Sequence, residues 1–186
     1  MTHLYFVRHA HSTYTPDELG RPLSKRGFVD AYEITEILKV EQIDIVISSP
    51  YSRAVQTVEA AANYFNREIE IVEGFRERKL TSGPVEDFTF AITKVWEDES
   101  FSWEGGESNA VAQKRGVAAT FQILDKYEGK NIVIGTHGNI MVLIMNYFDQ
   151  QYDFLFWKKL DMPDIYKLTF DGRELRNVTR LWKTSG

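Results

Sequence analysis

Short apolar runs alternate with amphipathic helical segments along this chain, and the alternation restricts its fold more than any other feature. Three runs, at residues 4–7, 43–47 and 132–134, suit strands that are buried on both faces. Between and after them, apolar residues recur every three or four positions, which is the spacing of a helix face. These faces are Phe28, Ala31, Ile34 and Leu38; Ala54, Val58, Ala61 and Phe65; Ala110, Val117, Phe121 and Leu124; and Ile140, Leu143, Ile144 and Tyr147. The pattern predicts an α/β fold, a three-layer α/β/α sandwich with a mainly parallel central sheet.

Polar residues mark the starts of helices and a turn near the end of the chain. Ser24 and Ser108 precede the first and third helical faces and are predicted N-caps. Residues 165–170 and 175–181 alternate apolar and polar positions around Asp171-Gly172. This spacing predicts a C-terminal antiparallel hairpin.

Residues from about 78 to 105 do not fit the alternation. They contain Gly83-Pro84 and one predicted helix near 85–97, so we interpret them as a small helical insert packed over one edge of the sheet. The insert is rich in aromatic residues, which either complete the core or line a pocket for the organic part of a ligand. These residues are Phe88, Phe90, Trp96, Phe101 and Trp103.

Composition narrows the classes of function. The 186 residues have the length of a single domain, which we place at 1–186. With 22 Lys and Arg against 27 Asp and Glu, the net charge of −5 argues against nonspecific binding of nucleic acid. The absence of cysteine excludes disulfides, thiolate metal sites and cysteine nucleophiles. Because no apolar run suits a signal peptide or a membrane span, we expect a cytoplasmic protein without a membrane partner.

The residues that follow the three predicted strands are chemically related. Arg8 and His9 follow the first strand, Arg53 lies shortly after the second, and His137 follows the third. In an open α/β sheet, ligands bind beyond the carboxyl ends of the strands, so these side chains are expected to share one site. A single histidine or arginine after a strand more often has a structural role, and we interpret His3 in this way. Arginines and histidines after three strand ends together indicate a binding site.

The chemistry of this set points to a phosphoryl group. Arg8 and Arg53 offer planar forks of donors suited to phosphate or carboxylate oxygens, and the two histidines titrate near neutral pH. Ala10 and Gly138, each directly after a histidine, are small enough for an anion to approach the backbone. Helices that begin after the strands direct N–H groups at the same place.

Two histidines and two arginines around a phosphoryl group suggest covalent catalysis. A neutral imidazole is a nucleophile that can carry the group, while Arg8, Arg53 and a protonated His137 hold its other oxygens. The leaving alcohol needs a proton, and a nearby phosphate dianion favours the protonated form of a carboxyl group. Glu77, just before the insert, is the best placed carboxyl group in the sequence.

A metal site is the main alternative for the histidines. His9 and His11 would lie on one face of an extended chain, and with His137 they could bind zinc and leave one position open. Arg8 would repel a cation and no acidic cluster accompanies the histidines, so we expect neither a metal nor a cofactor. The motifs G-x-x-x-x-G-K-[ST], G-x-G-x-x-G and G-x-S-x-G are absent from the sequence.

Five segments together resemble the histidine phosphatase superfamily, also called the phosphoglycerate mutase-like family. The resemblance covers nearly the whole chain, and the motifs occur in the order that the family has. Residues 7–12 (V-R-H-A-H-S) resemble its R-H-G signature, and 22–27 (P-L-S-K-R-G) its P-L-[ST]-x-x-G. Residues 48–57 (S-S-P-Y-S-R-A-V-Q-T) are similar to its S-x-x-x-R-[AT]-x-[QE]-T, 105–108 to its G-G-E-S and 136–138 to its late H-G.

The resemblance implies a role for each matching residue. His9 would be the phosphorylated nucleophile and Glu77 the proton donor. Arg8, Arg53 and His137 would form the phosphate pocket, with His137 also taking part in catalysis. The implied function is that of a metal-independent phosphomonoesterase of the histidine acid phosphatase type, with a small phosphorylated metabolite as substrate.

Several positions depart from the family pattern. Ala10 replaces the usual glycine, which narrows the approach to the backbone, His11 replaces a frequent glutamate and Thr15 a frequent asparagine. His11, Ser12, Thr15 and Gly138 are further candidate site residues. The length leaves little room for the long insertions of phosphoglycerate mutases, which favours a phosphatase. A mutase and a non-catalytic module that binds phosphorylated ligands are the alternatives, and Ala10 is the one hint of the module.

Overall fold

A computed structural model describes residues 1–183, and in this part of the chain six helices pack on a six-stranded sheet. The strands are β1 (Thr2–Arg8), β2 (Ile45–Ser48), β3 (Ile69–Ile71), β4 (Asn131–Thr136), β5 (Asp164–Asp171) and β6 (Glu174–Arg180). The helices are α1 (Lys25–Leu38), α2 (Ser52–Tyr64), α3 (Phe88–Glu97), α4 (Asn109–Lys126), α5 (Gly138–Phe148) and α6 (Phe154–Lys159). None of these helices is both long and apolar enough to cross a membrane.

The sheet is mainly parallel, as the sequence predicts. Its strand order is β3-β2-β4-β1-β5-β6, and the first four strands of this order, β3, β2, β4 and β1, are parallel to one another. β5 runs antiparallel to β1, and β6 runs antiparallel to β5. The predicted C-terminal hairpin is confirmed, and Gly172 in its turn has a φ of +61°, a conformation that glycine adopts without strain.

Alternating residues of β1 divide the core into two halves. Leu4 and Phe6 belong to a buried cluster with residues of α4 and α5, whereas Tyr5 and Val7 belong to a second cluster with residues of α1 and α2. Successive side chains of a strand point to opposite faces, so the two helix pairs cover opposite faces of the sheet. The three-layer α/β/α architecture is therefore confirmed.

The two predicted N-caps are confirmed. Two residues that we predicted on buried helix faces, Phe28 and Tyr147, are instead exposed. Ser24 Oγ accepts a hydrogen bond from Gly27 N and Ser108 Oγ accepts one from Val111 N. Phe28 is 43% exposed and Tyr147 54% exposed. Phe28 lies in the first turn of α1 and Tyr147 in the last turn of α5. At the ends of a helix, the apolar spacing of the sequence continues beyond the part of the helix that packs on the sheet.

Gly27 shows why the P-L-S-K-R-G segment needs its glycine. A Cβ atom at this position would lie 2.1 Å from the carbonyl oxygen of His11. That oxygen also accepts the backbone N–H of Ser24. The glycine thus allows the loop that follows β1 to pack directly against the first turn of α1.

The insert contains the predicted helix, and Asp87 caps it by accepting a hydrogen bond from Phe90 N. The insert contacts the start of α5, because Trp96 Nε1 donates to Asn139 Oδ1. Two elements outside the insert were not predicted, β3 and α6. β3 has only three residues and α6 only six. Segments this short do not show the apolar spacing of a strand or of a helix in the sequence.

Candidate active site

The structure brings the residues from the three strand ends together. Arg8 ends β1, His9 follows it, Arg53 lies in the first turn of α2, and His137 is the N-cap of α5. Because β1 and β4 are paired in register up to Arg8 and Thr136, the two histidines are neighbours. Their ring centroids are 5.2 Å apart, with an angle of 66° between the planes. The chemical roles of these residues stay predictions.

His9 is held in the tautomer that a nucleophile requires. Its Nδ1 lies 2.8 Å from the carbonyl oxygen of Ala10, and since this oxygen can only accept, Nδ1 carries the proton. Nε2 therefore has the free lone pair. Burial, together with the charges of Arg53 and Arg8, lowers the pKa of His9 to about 3. The imidazole is thus neutral across the physiological pH range.

His137 is completely buried, and only one of its two ring nitrogens has a polar partner within residues 1–183. Its Nε2 lies 2.8 Å from Ser49 Oγ, and Nδ1 has no hydrogen-bond partner within residues 1–183. Burial lowers the pKa of His137 well below its ordinary value, and the neighbouring His9 and Arg53 lower it further. These side chains alone favour a neutral His137, so the cationic form that we predict requires the negative charge of a phosphoryl group.

Arg8 packs against the first residue of α5. Its Nη1 donates to the carbonyl oxygen of Asp161 at 3.2 Å, and its buried Nε has no partner in the described chain. A Cβ atom on Gly138 would lie 2.8 Å from this Nε. The absence of a side chain at Gly138 thus makes room for the Arg8 guanidinium, and approach of an anion to the backbone at this position stays a prediction.

Arg53 is only 6% exposed, and its guanidinium is incompletely paired. Nη1 donates to the carbonyl oxygen of Glu18 at 2.8 Å, the carboxylate of Glu18 lies 3.7 Å from Nη2, and Nε has no partner within residues 1–183. The guanidinium also lies 4.8 Å from the centre of the Tyr51 ring. Buried guanidinium N–H groups without partners are costly, and a bound dianion would satisfy those that face it.

Glu77 contacts the N-terminal end of α5. Its Oε2 accepts a hydrogen bond from Asn139 N at 3.0 Å, and its Oε1 accepts from Ile140 N at 2.9 Å. Oε1 also accepts from Arg78 N. These bonds fix the carboxyl group at the first turn of α5, directly after His137, and its charge acts on both Arg8 and Arg53. The predicted proton donor therefore lies beside the predicted phosphate pocket.

Three of the further candidates stabilise the loop before α1. His11 is exposed, with Nδ1 2.7 Å from Ser24 Oγ, and Ser12 forms an isolated β-bridge with Leu23. Thr15 Oγ1 donates to the carbonyl oxygen of Asp17. The structure thus directs His11 towards α1 and away from His9. Over residues 1–183, no group of three or more histidine or carboxylate side chains is arranged to hold a metal ion.

Ala10 does not narrow the pocket, contrary to the prediction. It is fully buried in a small cluster with Leu23 and Ala31, and its N–H donates to Thr57 Oγ1 at 3.0 Å. The methyl group is directed into the core, so it does not limit the approach of a ligand to the backbone. The one hint of a non-catalytic module therefore disappears.

Two residues near the site were missed by the sequence analysis. Ser49 lies within the segment that resembles the family, and its hydroxyl group contacts His137. Arg21 directly precedes the P-L-S motif, and its charge lowers the pKa of both His9 and Arg53. Its position depends on the loop around residue 19, whose Leu19 carbonyl accepts the N–H of Ser52 at the start of α2. A long-range contact of this kind leaves no local signal.

The aromatic residues of the insert divide between the two predicted roles. Phe88 lines a cavity beside Arg8, which is the pocket role. Trp96 is half-buried against the core, and Trp103 donates its indole N–H to the carbonyl oxygen of Ala91 within the insert, which are structural roles.

Acidification is expected to destabilise the protein through its buried histidines. Burial lowers the pKa of His137 in the folded chain, so below pH 6.5 the unfolded chain binds more protons and the free energy of unfolding falls with pH. Each histidine that stays neutral in the folded chain contributes about 1.4 kcal/mol per pH unit to the slope of the unfolding free energy against pH. We expect His137→Asn to reduce the slope of the unfolding free energy against pH, measured by urea titration from pH 6 to 4.5, by about this amount. An unchanged slope would mean that His137 is not buried in its neutral form.

Comparison with known proteins identifies a family and several relatives of this chain. The sequence profile described as "Histidine phosphatase superfamily (branch 1)" matches residues 4–183. Phosphoserine phosphatase 1 of Hydrogenobacter thermophilus is 28% identical over 152 residues, which cover 74% of this chain and 71% of that protein.

Solved structures share the fold at low sequence identity. Phosphoserine phosphatase from Entamoeba histolytica, in complex with 3-phosphoglyceric acid, has a TM-score of 0.80 at 20% identity and covers 100% of this chain and 98% of its own. A mycobacterial glucosyl-3-phosphoglycerate phosphatase has a TM-score of 0.78 at 18% identity and covers 98% and 99%. Since the profile match extends over almost the entire sequence, this chain belongs to the histidine phosphatase superfamily (branch 1).

Proposed function

We propose that this chain is a metal-independent phosphatase that hydrolyses phosphate monoesters through a phosphohistidine on His9. The observation that carries the proposal is the free Nε2 of His9, in a neutral ring, beside the incompletely paired guanidinium groups of Arg8 and Arg53. A nucleophile and buried positive charge in one pocket favour phosphoryl transfer, which depends mainly on positioning and on stabilisation of charge.

The first step transfers the phosphoryl group to the enzyme. The lone pair of His9 Nε2 attacks phosphorus, a P–N bond forms and the P–O bond to the alcohol breaks. The leaving oxygen takes the proton of the Glu77 carboxylic acid and departs as the alcohol. Arg8, Arg53 and a protonated His137 hold the three equatorial oxygens of the phosphoryl group.

The second step releases inorganic phosphate. The Glu77 carboxylate takes a proton from a water molecule while the water oxygen attacks phosphorus. The P–N bond breaks, and His9 regains its lone pair. Because Glu77 ends protonated and His9 ends neutral, both groups return to their starting state and no cofactor is consumed.

The names of the relatives support hydrolysis of a small phosphorylated metabolite. The curated relative is named as a phosphoserine phosphatase, and the structural neighbours include phosphoserine and glucosyl-3-phosphoglycerate phosphatases. A mutase would instead return the phosphoryl group to a second substrate and would need a bisphosphate to start. Addition of such a primer separates the two activities, since a phosphatase does not depend on it.

Trapping of the phosphorylated enzyme tests the proposal. After rapid mixing with a ³²P-labelled ester and quenching in alkali, we expect label on the wild-type chain that is lost in acid, as a phosphohistidine requires. We expect release of inorganic phosphate that is unchanged by a metal chelator and by a bisphosphate primer. Binding of the ester without label or release would support the non-catalytic module, and loss of activity in the chelator would support a metal site.

A further inference from the structure

A cavity of about 360 Å³ lies between α3 and α6 and has Arg8 in its wall. Arg8 also belongs to the proposed phosphate pocket, so the cavity adjoins the reacting phosphoryl group. Its volume is within the range of sites for small organic ligands. A substituent on the ester oxygen of the substrate could enter it while the phosphoryl group contacts Arg8.

Five of the nine residues that line the cavity are aromatic or aliphatic. Phe88 and Ile92 contribute from α3, and Phe154 and Trp157 from α6. The rings of Phe154 and Trp157 are stacked, with centroids 5.7 Å apart and only 12° between their planes. Trp96 also stacks on Phe154, with centroids 5.6 Å apart, which restricts the orientation of the Phe154 ring. The rings of Phe88 and Trp157 in the same wall favour an apolar and planar ligand.

The charge in the cavity is positive. Arg8 and Lys158 line it, and none of its lining residues is acidic. The ammonium group of Lys158 lies 4.5 Å from the centre of the Phe154 ring, which holds the charge against the aromatic wall. A ligand with an ammonium group would meet two cations and no carboxylate among the lining residues, whereas a ligand with a carboxylate or a second phosphate would be attracted to the two cations.

We propose that this cavity binds the leaving group of the substrate, and that this group is a planar apolar body that carries a negative charge. This inference rests on the proposed phosphatase function and deepens it. It predicts a preference for an anionic aryl phosphate over phosphoserine, whose leaving group is small, is not aromatic and has no net charge, because its ammonium group offsets its carboxylate. Phe88 and Lys158 would be the residues that determine this specificity.

Two pairs of variants test the proposal with matched controls. Phe88 and Phe90 are both exposed rings on α3, at 55% and 58%, but only Phe88 lines this cavity. Lys158 and Lys159 are adjacent exposed lysines of α6, and only Lys158 lines it. The variants are Phe88→Ala, Phe90→Ala, Lys158→Gln and Lys159→Gln, and the substrates are phenyl phosphate, 4-carboxyphenyl phosphate, glycerol phosphate and phosphoserine.

The ratios of kcat/KM values decide the outcome, because the intrinsic reactivity of each ester cancels between variants. In Lys158→Gln, we expect the preference for 4-carboxyphenyl over phenyl phosphate to fall about threefold to fivefold, as loss of one exposed charge pair implies. In Phe88→Ala, the preference for phenyl phosphate over glycerol phosphate should fall roughly fivefold. Lys159→Gln and Phe90→Ala should leave both ratios within about twofold of the wild type.

Failure of this inference and failure of the phosphatase proposal give different results. Hydrolysis of all four esters with ratios unaffected by Phe88→Ala and Lys158→Gln, or a preference for phosphoserine, would overturn the leaving-group assignment alone. If no ester is hydrolysed, calorimetric binding of 4-carboxybenzylphosphonate and benzylphosphonate still tests the cavity. We expect tighter binding of the carboxylate in the wild type, and equal binding of the two compounds would contradict the assignment.

Discussion

Replacement of His9 by alanine is expected to reduce kcat for phosphate ester hydrolysis by at least roughly 10⁴-fold, because no other group can form the covalent intermediate. The imidazole of His9 is neutral and its Nε2 has a free lone pair, whereas Nε2 of the fully buried His137 contacts Ser49 Oγ. Steady-state hydrolysis of 4-nitrophenyl phosphate measures kcat, and the ³²P trap measures the intermediate. Both signals should disappear together.

The matched control is His3→Ala, which removes a histidine of β1 that contacts Thr169 on β5 and lies at the opposite end of the strand from the site. We expect its kcat to stay within about twofold of the wild type. A His9→Ala variant that folds, as judged by circular dichroism, and retains more than about a tenth of the wild-type activity would contradict the phosphohistidine mechanism.

The parts of the site that the sequence predicts are those next to strand ends. Arg8, His9 and His137 directly follow or end parallel strands, and the topology of an α/β sheet brings the carboxyl ends of such strands together. Their positions therefore follow from local patterns and one general rule. The two N-caps follow for the same reason, since the residues that make each cap are three apart in the sequence.

The parts that the sequence does not predict depend on contacts between distant residues. Trp157 and Phe154 belong to α6, a helix of six residues without a periodic signal, and they meet α3 across a cavity beside Arg8. Arg21 reaches the site through a loop whose path depends on contacts with α2. Ala10 occupies a motif position, but it packs against Leu23 and Ala31, which are distant from it in the sequence. No local pattern of the sequence predicts these contacts.

Glu77→Gln is expected to slow hydrolysis of alkyl phosphates by about 10²–10⁴-fold and to have a much smaller effect on 2,4-dinitrophenyl phosphate. An alkoxide is a poor leaving group and needs a proton as the P–O bond breaks, whereas dinitrophenolate leaves without one. The glutamine side chain has nearly the same shape but has no acidic proton to donate. Single-turnover rates of phosphorylation of His9, measured with both esters, give the comparison.

The comparison of two leaving groups also separates catalysis from structure at this position. Glu77 accepts hydrogen bonds from Asn139 N and Ile140 N, so an amide N–H group at one of these sites would face a donor and disturb the start of α5. Such a disturbance would move Gly138 and the Arg8 that packs on it, and would slow both esters alike. Equal losses would therefore assign Glu77 to positioning of α5, whereas a loss that grows with the basicity of the leaving group would assign it to proton donation. Oε1 accepts two backbone N–H groups, whereas Oε2 accepts only one and keeps a second lone pair, so Oε2 is the oxygen that we expect to carry the donated proton.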